Sequence, residues 1–191
     1  MASLHQQRNA TTRRPGVRCG FVQRIGENRK PEYLAINPHG TVPTLTDDDD
    51  VLTDSHAIIT YLVDKYGVDD SLYPKDLIQR AKVNQILFYE ATMVFDRTFL
   101  PISKAVFNNH NVIPVAKIDA VYSVYERLES FLQEHPFVAG ENLTVADFSL
   151  IVTISSLFTY AELVESKYPK LLIGLDVWSS CPIMLRVMML A

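Results

Sequence analysis

Residues 37–60 read NPHGTVPTLTDDDDVLTDSHAIIT and decide the fold, because they spell a strand, a turn, a second strand and a capped helix in quick succession. Val42-Pro43 sits at the mouth of the first strand, where a proline cannot donate to a ladder. A proline there marks an edge, a bulge or a cis turn that presents neighbouring backbone groups to something else. Asp54-Ser55 opens an apolar run with helical spacing, Ala57, Ile58, Ile59, Tyr61 and Leu62. The unpaired N–H groups at such a helix head can hold a carboxylate. Taken singly, Val-Pro-Thr-Leu is a strand start and Asp-Ser an N-cap worth about 1 kcal/mol. Their order and spacing make the combination specific.

Together these residues resemble the glutathione-binding half of a glutathione S-transferase, and among these the delta and epsilon transferases of insects, with Ser55-His56-Ala57-Ile58 typical of epsilon-like members. The similarity continues through Tyr61, Leu62, Asp64, Lys65, Tyr66, Gly67 and Ser71-Leu72-Tyr73-Pro74, and covers about residues 21–172. The resemblance implies that the backbone beside a cis Val42-Pro43 bond pairs with the cysteinyl unit of glutathione. It also implies that Asp54 and Ser55 hold the γ-glutamyl end, the carboxylate on the hydroxyl and helix head and the ammonium near the acid. His56 is a further contact by similarity, and His39 and Asn28 would line the glycyl end.

The organisation changes near residue 75. Before it, short β-rich segments accompany one clear helix; after it the pattern is helical, with Pro74, Pro101, Pro114, Pro136 and Pro169 as punctuation. The expectation is a basic divergent tail over 1–20, a thioredoxin-like α/β domain over 21–74 with an incomplete first β-α-β unit, and an all-helical domain over 75–191. Phe21–Ile25 reads as a strand. From Asp76 to about Asn109 a long amphipathic helix carries Ile78, Val83, Ile86, Leu87, Val94, Phe95, Leu100 and Val106, with a kink predicted at Pro101. Pro114 opens the next helix, whose stripe is Val121, Val124, Tyr125, Leu128, Phe131 and Leu132. Thr144-Val145-Ala146-Asp147 then reads as a capping box with Asp for Glu, a structural element and not a chemical one. After Tyr168-Pro169, Trp178 leads into a short apolar end, Ile183–Ala191, where the family continues with a helix and a tail.

Conjugation needs a thiolate, and a free thiol near pKa 8.5 is mostly protonated at neutral pH. The resemblance implies a Ser just after the first strand as the stabilising donor, and the family's spacing places it ahead of Met1. The catalytic residue is therefore left open: Ser3, Thr11 and Thr12 lie in the basic head, and Cys19 is followed by Gly20 rather than proline. By similarity the apolar electrophile packs against Phe95, Thr98, Phe99 and Ile102.

Composition sets the limits. The chain has 191 residues and 48% hydrophobic content, enough for a sizeable core. Residues 1–30 hold seven basic side chains against Glu27 alone, a balance of +6, so the rest carries −10 of the formal net −4. An acid-free, Arg-rich start can suggest a mitochondrial leader; Pro15, Gly16 and Gly20 interrupt any amphipathic helix and favour a solvated tail. No apolar run approaches the ~20 residues of a membrane span, and nothing suggests specific nucleic-acid binding. Cys19 and Cys181 lack metal or disulfide spacing, and Asp47–Asp50 reads as a solvated turn, so no metal is expected. Within these limits the resemblance implies a cytoplasmic, homodimeric detoxification transferase that uses glutathione as co-substrate and no cofactor. The alternative is a glutathione-binding or protein-interaction module on the same fold.

Overall fold

The computed structural model describes residues 17–20, 26–107 and 113–179. Outside them lie most of the basic head with Ser3, Thr11 and Thr12, the expected strand Phe21–Ile25, Cys181 and the apolar end Ile183–Ala191. The chain forms two compact units, Met1–Leu62 and Val63–Ala191.

In the first unit, β1 (Val17–Gly20), β2 (Thr44–Asp47) and β3 (Asp50–Leu52) make an antiparallel sheet in the order β1-β2-β3. β1 pairs Val17↔Asp47 through Gly20↔Thr44, and β2 pairs Leu45↔Leu52, Thr46↔Val51 and Asp47↔Asp50. Asp48 and Asp49 are thus the two turn residues, with Asp48 left-handed at φ 52°, as tight hairpins demand. The turn expected of the acidic run is confined to these two, since Asp47 is buried in β2 and Asp50 belongs to β3. The basic tail expected over 1–20 is different: Val17–Gly20 is a paired strand. A strand this short is held by its ladder with β2, not by its composition, so its residues carried no strand signal. A one-turn helix α1 (Pro31–Leu34) follows the 3-10 turn Glu27–Arg29, with proline at its first turn. α2 (Ser55–Tyr66) buries Ile58 and sends the Tyr61 hydroxyl to the Asp47 carboxylate.

The second unit is helical. α3 (Leu77–Tyr89), capped by Asp76 onto Gln79 N–H at 2.9 Å, runs into a π-helical stretch Glu90–Phe99 and then α4 (Leu100–Phe107). The kink expected at Pro101 is replaced by this widening. Pro101 lacks an N–H, and its ring would clash with the carbonyl four residues back in a straight α-helix. The segment before it adopts wider turns, with Leu100 N–H bonding Phe95 C=O. Wider turns also shift the helical phase, so Phe95, expected in the apolar stripe, is exposed, as are Ile78 and Val106 nearer the helix ends.

α5 (Val115–Glu134) starts after Pro114 and buries Val121, Val124, Tyr125, Leu128 and Leu132 as expected. α6 (Val145–Leu157) is buried almost all round. α7 (Pro169–Ser179) carries the helix on through Trp178, which is fully buried. No described helix is long and apolar enough to cross a membrane.

The division falls before the expected boundary near residue 75 because Arg80 ties the intervening linker to the helices. Its guanidinium donates to Asp64 at 2.9 Å, Tyr73 C=O at 3.0 Å and Pro74 C=O at 2.6 Å, and lies 4.1 Å from the Tyr73 ring centre. Leu72 C=O also accepts Val145 N–H at 3.0 Å.

Glu129 of α5 caps α7 from outside, accepting Lys170 N–H at 3.1 Å and Leu171 N–H at 2.8 Å. At the head of α6 the capping box is complete. The Asp147 carboxylate, with no exposed surface, accepts Thr144 N–H at 2.8 Å, Thr144 Oγ1 at 3.1 Å and Val138 N–H at 3.0 Å. Burial raises its pKa and these donors offset part of the rise, leaving it at about 6. Asp147→Ala leaves two buried N–H groups unpaired, and should cost about 3 kcal/mol and lower the melting temperature by roughly 10 °C. Because the folded pKa lies above the unfolded value, ionisation of this group opposes folding. The parent's stability advantage over Asp147→Asn should therefore shrink as pH rises from about 4 to about 6; denaturant titrations showing it grow would contradict this.

Candidate functional site

The loop from Asn37 to Thr44 is organised by one buried amide. Asn37, 1% exposed, donates through Nδ2 to Thr41 C=O at 2.9 Å and lies 3.0 Å from both Thr41 Oγ1 and Thr44 Oγ1. Its Oδ1 accepts His39 N–H at 3.1 Å. The Tyr33 hydroxyl, brought in by α1, donates to the same Thr41 carbonyl at 2.6 Å and stands 2.8 Å from Thr44 Oγ1. With Thr41 so occupied, the next residue is free. Val42-Pro43 is a cis bond, as expected, and Val42 is 51% exposed. No group among the described residues bonds the N–H or C=O of Val42. An exposed, unpaired donor and acceptor on adjoining backbone can take an extended peptide as a strand edge does.

The hairpin register brings Asp54 and Ser55 to the same end of the sheet. Leu45 pairs with Leu52, so Val42-Pro43 enters β2 where Asp54-Ser55 leaves β3. Asp54, not Ser55, is the cap of α2: its Oδ1 accepts His56 N–H at 2.9 Å and Ala57 N–H at 3.0 Å. Ser55 becomes the first helical residue, exposed, and among the described residues neither its hydroxyl nor its N–H has a partner. The His56 imidazole lies 3.6 Å from the same Asp54 oxygen. Helix head, free hydroxyl and exposed carboxylate together suit a group carrying both a negative and a positive charge.

On the other flank of the loop, His39 is exposed and its backbone is engaged on both sides, by Asn37 and by Arg29 Nη1 at 3.3 Å. Asn28, expected to line a ligand, spends one amide hydrogen on Gly40 C=O at 2.6 Å. It braces the loop first. Gly40 takes φ 62°, and a Cβ there would stand 2.9 Å from Asn28 C=O and 2.8 Å from Arg29 Nη1.

The four residues expected against an electrophile divide into two pairs. Phe95 and Phe99 stack at 5.6 Å between ring centres, Phe95 exposed and Phe99 partly so. Thr98 and Ile102 are corrected to core positions. Ile102 has no exposed surface, and Thr98 is buried with its hydroxyl on Met93 C=O at 2.7 Å. The wider turns of the π-helical stretch set that division. Of the hydroxyl and thiol candidates, Ser3, Thr11 and Thr12 lie outside the described residues, and Cys19 is in β1 opposite Leu45. Asn37 and Tyr33 were missed as site-builders. The signal that could have found Asn37 is Asn-Pro-x-Gly, an Asn able to accept from the backbone two residues on.

With this geometry in hand, comparison with known proteins is direct. Residues 14–71 match the family described as glutathione S-transferase, N-terminal domain, and residues 100–176 the corresponding C-terminal domain. Glutathione S-transferase 2 of Anopheles gambiae is 40% identical over 135 residues, 70% of this chain; the chain spans 64% of that relative's length. An epsilon-class glutathione S-transferase from the housefly, Musca domestica, superimposes with a TM-score of 0.78 at 44% identity, covering 82% of this chain and 72% of that one. A glutathione transferase homologue from Drosophila mojavensis, solved with bound glutathione, gives 0.79 at 43%, covering 81% and 71%.

Gly40→Ala tests the loop itself. Strain at positive φ and the approach to the Asn28 carbonyl should destabilise the chain by about 1–2 kcal/mol, seen as a melting point several degrees lower. A melt identical to the parent's would mean the loop is not built as described.

Proposed function

This chain belongs to the glutathione S-transferase family, and from that membership we propose that it conjugates reduced glutathione to apolar electrophiles as a cytoplasmic, homodimeric detoxification enzyme. The observation that carries the reading is the pairing, at one end of the sheet, of Val42 main-chain groups and a Ser55 hydroxyl at a helix head that have no partner among the described residues. The cysteinyl unit pairs with Val42 in the manner of an added strand. The γ-glutamyl carboxylate takes the Ser55 hydroxyl and N–H, its ammonium faces Asp54, and His56 borders that end. His39 and Asn28 border the glycyl end. The Drosophila mojavensis homologue binds glutathione in its solved structure, which supports extending that ligand to this chain.

In the reaction the glutathione sulfur, as thiolate, attacks the electrophilic carbon and the leaving group departs with its electron pair. An ordinary thiol is only a few per cent ionised at neutral pH, so the protein must favour the thiolate with positioned donors. The acceptor packs on the exposed Phe95–Phe99 pair, with Thr98 and Ile102 supporting it from the core.

Turnover of a chlorinated nitrobenzene, measured beside retention on immobilised glutathione, tests the proposal. Retention with turnover supports the transferase. Retention without turnover favours the binding module, and loss of both sinks the glutathione reading. Ser55→Ala should weaken glutathione by about tenfold in calorimetric titrations, the worth of one hydrogen bond to a charged group. Its melting temperature should stay within about 1 °C of the parent's, because Asp54 caps the helix. Unchanged affinity would remove Ser55 from the site.

A further inference from the structure

Inside the π-helical stretch Glu90–Phe99 the buried residues are Glu90, Val94 and Thr98, and Ile102 of α4 continues the series with no exposed surface. Each stands four residues from the next. A four-residue step overshoots one α-helical turn of 3.6 residues by roughly 40°, so an α-helix would carry such a series progressively out of the core. Wider turns, bonded from residue i to i+5, absorb the overshoot. The neighbouring series gains the same alignment, and it holds Phe95 and Phe99, whose ring centres lie 5.6 Å apart.

Thr98 is fitted to the wide turn. Its buried hydroxyl donates to Met93 C=O at 2.7 Å, five residues back. Helical Ser and Thr hydroxyls ordinarily reach a carbonyl three or four residues back. Thr60, Thr92, Ser123 and Ser156 do so in this chain, each bonding the carbonyl four residues earlier. In a turn tightened to the α-helical pitch the Met93 carbonyl moves away from Thr98 and this bond is lost. We infer that the Thr98 hydroxyl holds the wide turn and so sets the Phe95–Phe99 wall, which makes Thr98 a positioning residue for the apolar acceptor; this rests on the transferase reading given above. Thr98 itself touches no substrate. It acts through the two rings, whose phase relative to the core follows the turn.

Calorimetric titrations with glutathione and with S-benzylglutathione, whose benzyl group stands in for the acceptor, test this without requiring turnover. The parent chain should favour the benzyl derivative. Thr98→Val keeps the volume and loses the hydroxyl; it should bind glutathione as the parent does and lose about fivefold of the preference for the derivative, the worth of roughly one hydrogen bond. Thr98→Ser keeps the donor and should keep the preference. Thr98→Ala should behave as Thr98→Val and decides the matter if the Val variant does not fold. An unchanged preference in the Val and Ala variants, equal weakening toward both ligands, or a Ser variant as impaired as the Val variant overturns the inference and leaves the glutathione reading standing. A parent that binds glutathione without favouring the derivative does the same. A parent that binds neither ligand overturns the transferase reading and this inference with it.

Discussion

The Asn37 side-chain amide bonds a carbonyl, two hydroxyls and a backbone N–H between His39 and Thr44, and the backbone the loop offers at Val42 follows from that. A buried amide pays for its desolvation only when both its ends are satisfied. Here satisfaction and shape coincide. The Thr41 carbonyl is drawn inward by Asn37 and Tyr33, while the N–H and C=O of Val42 have no partner among the described residues. His39 and Gly40 are held in the same act, and with them the perch of Arg29.

Helix heads are the second theme, and carboxylates settle most of them. Asp54 caps α2, Asp76 caps α3, Asp147 closes the box at α6, and Glu129 reaches across from α5 to cap α7. The chain after residue 30 carries −10 of formal charge, and part of that excess is spent on helix N-termini, where negative charge is stabilising. At α2 the consequence is functional. Because Asp54 takes the capping duty, the Ser55 hydroxyl is left for a ligand, and the site gains an acid beside a free donor.

Much of this was legible in residues 37–60, where proline at a strand mouth, a run of Asp and a capped apolar helix have few other solutions. Thr144-Val145-Ala146-Asp147 was legible for the same reason: capping is local, and local chemistry survives in one dimension. What depended on long-range or phase-sensitive effects was not. β1 is defined by its partner strand and not by Val-Arg-Cys-Gly. Thr98 and Ile102 were named beside an electrophile by similarity alone, and residue type could not show that the helix carrying them turns both toward the core. The choice between Asp54 and Ser55 as cap turned on which oxygen meets the N–H groups of His56 and Ala57, a matter of one residue that spacing alone leaves open.

Hydrogen exchange at the Val42 amide, followed residue by residue with and without glutathione, addresses the central claim most directly. In the free chain this N–H should exchange rapidly, being exposed and unbonded, and saturating glutathione should slow it while the amides of β3 change little. A Val42 amide already protected in the free chain, or one indifferent to glutathione, would contradict the account.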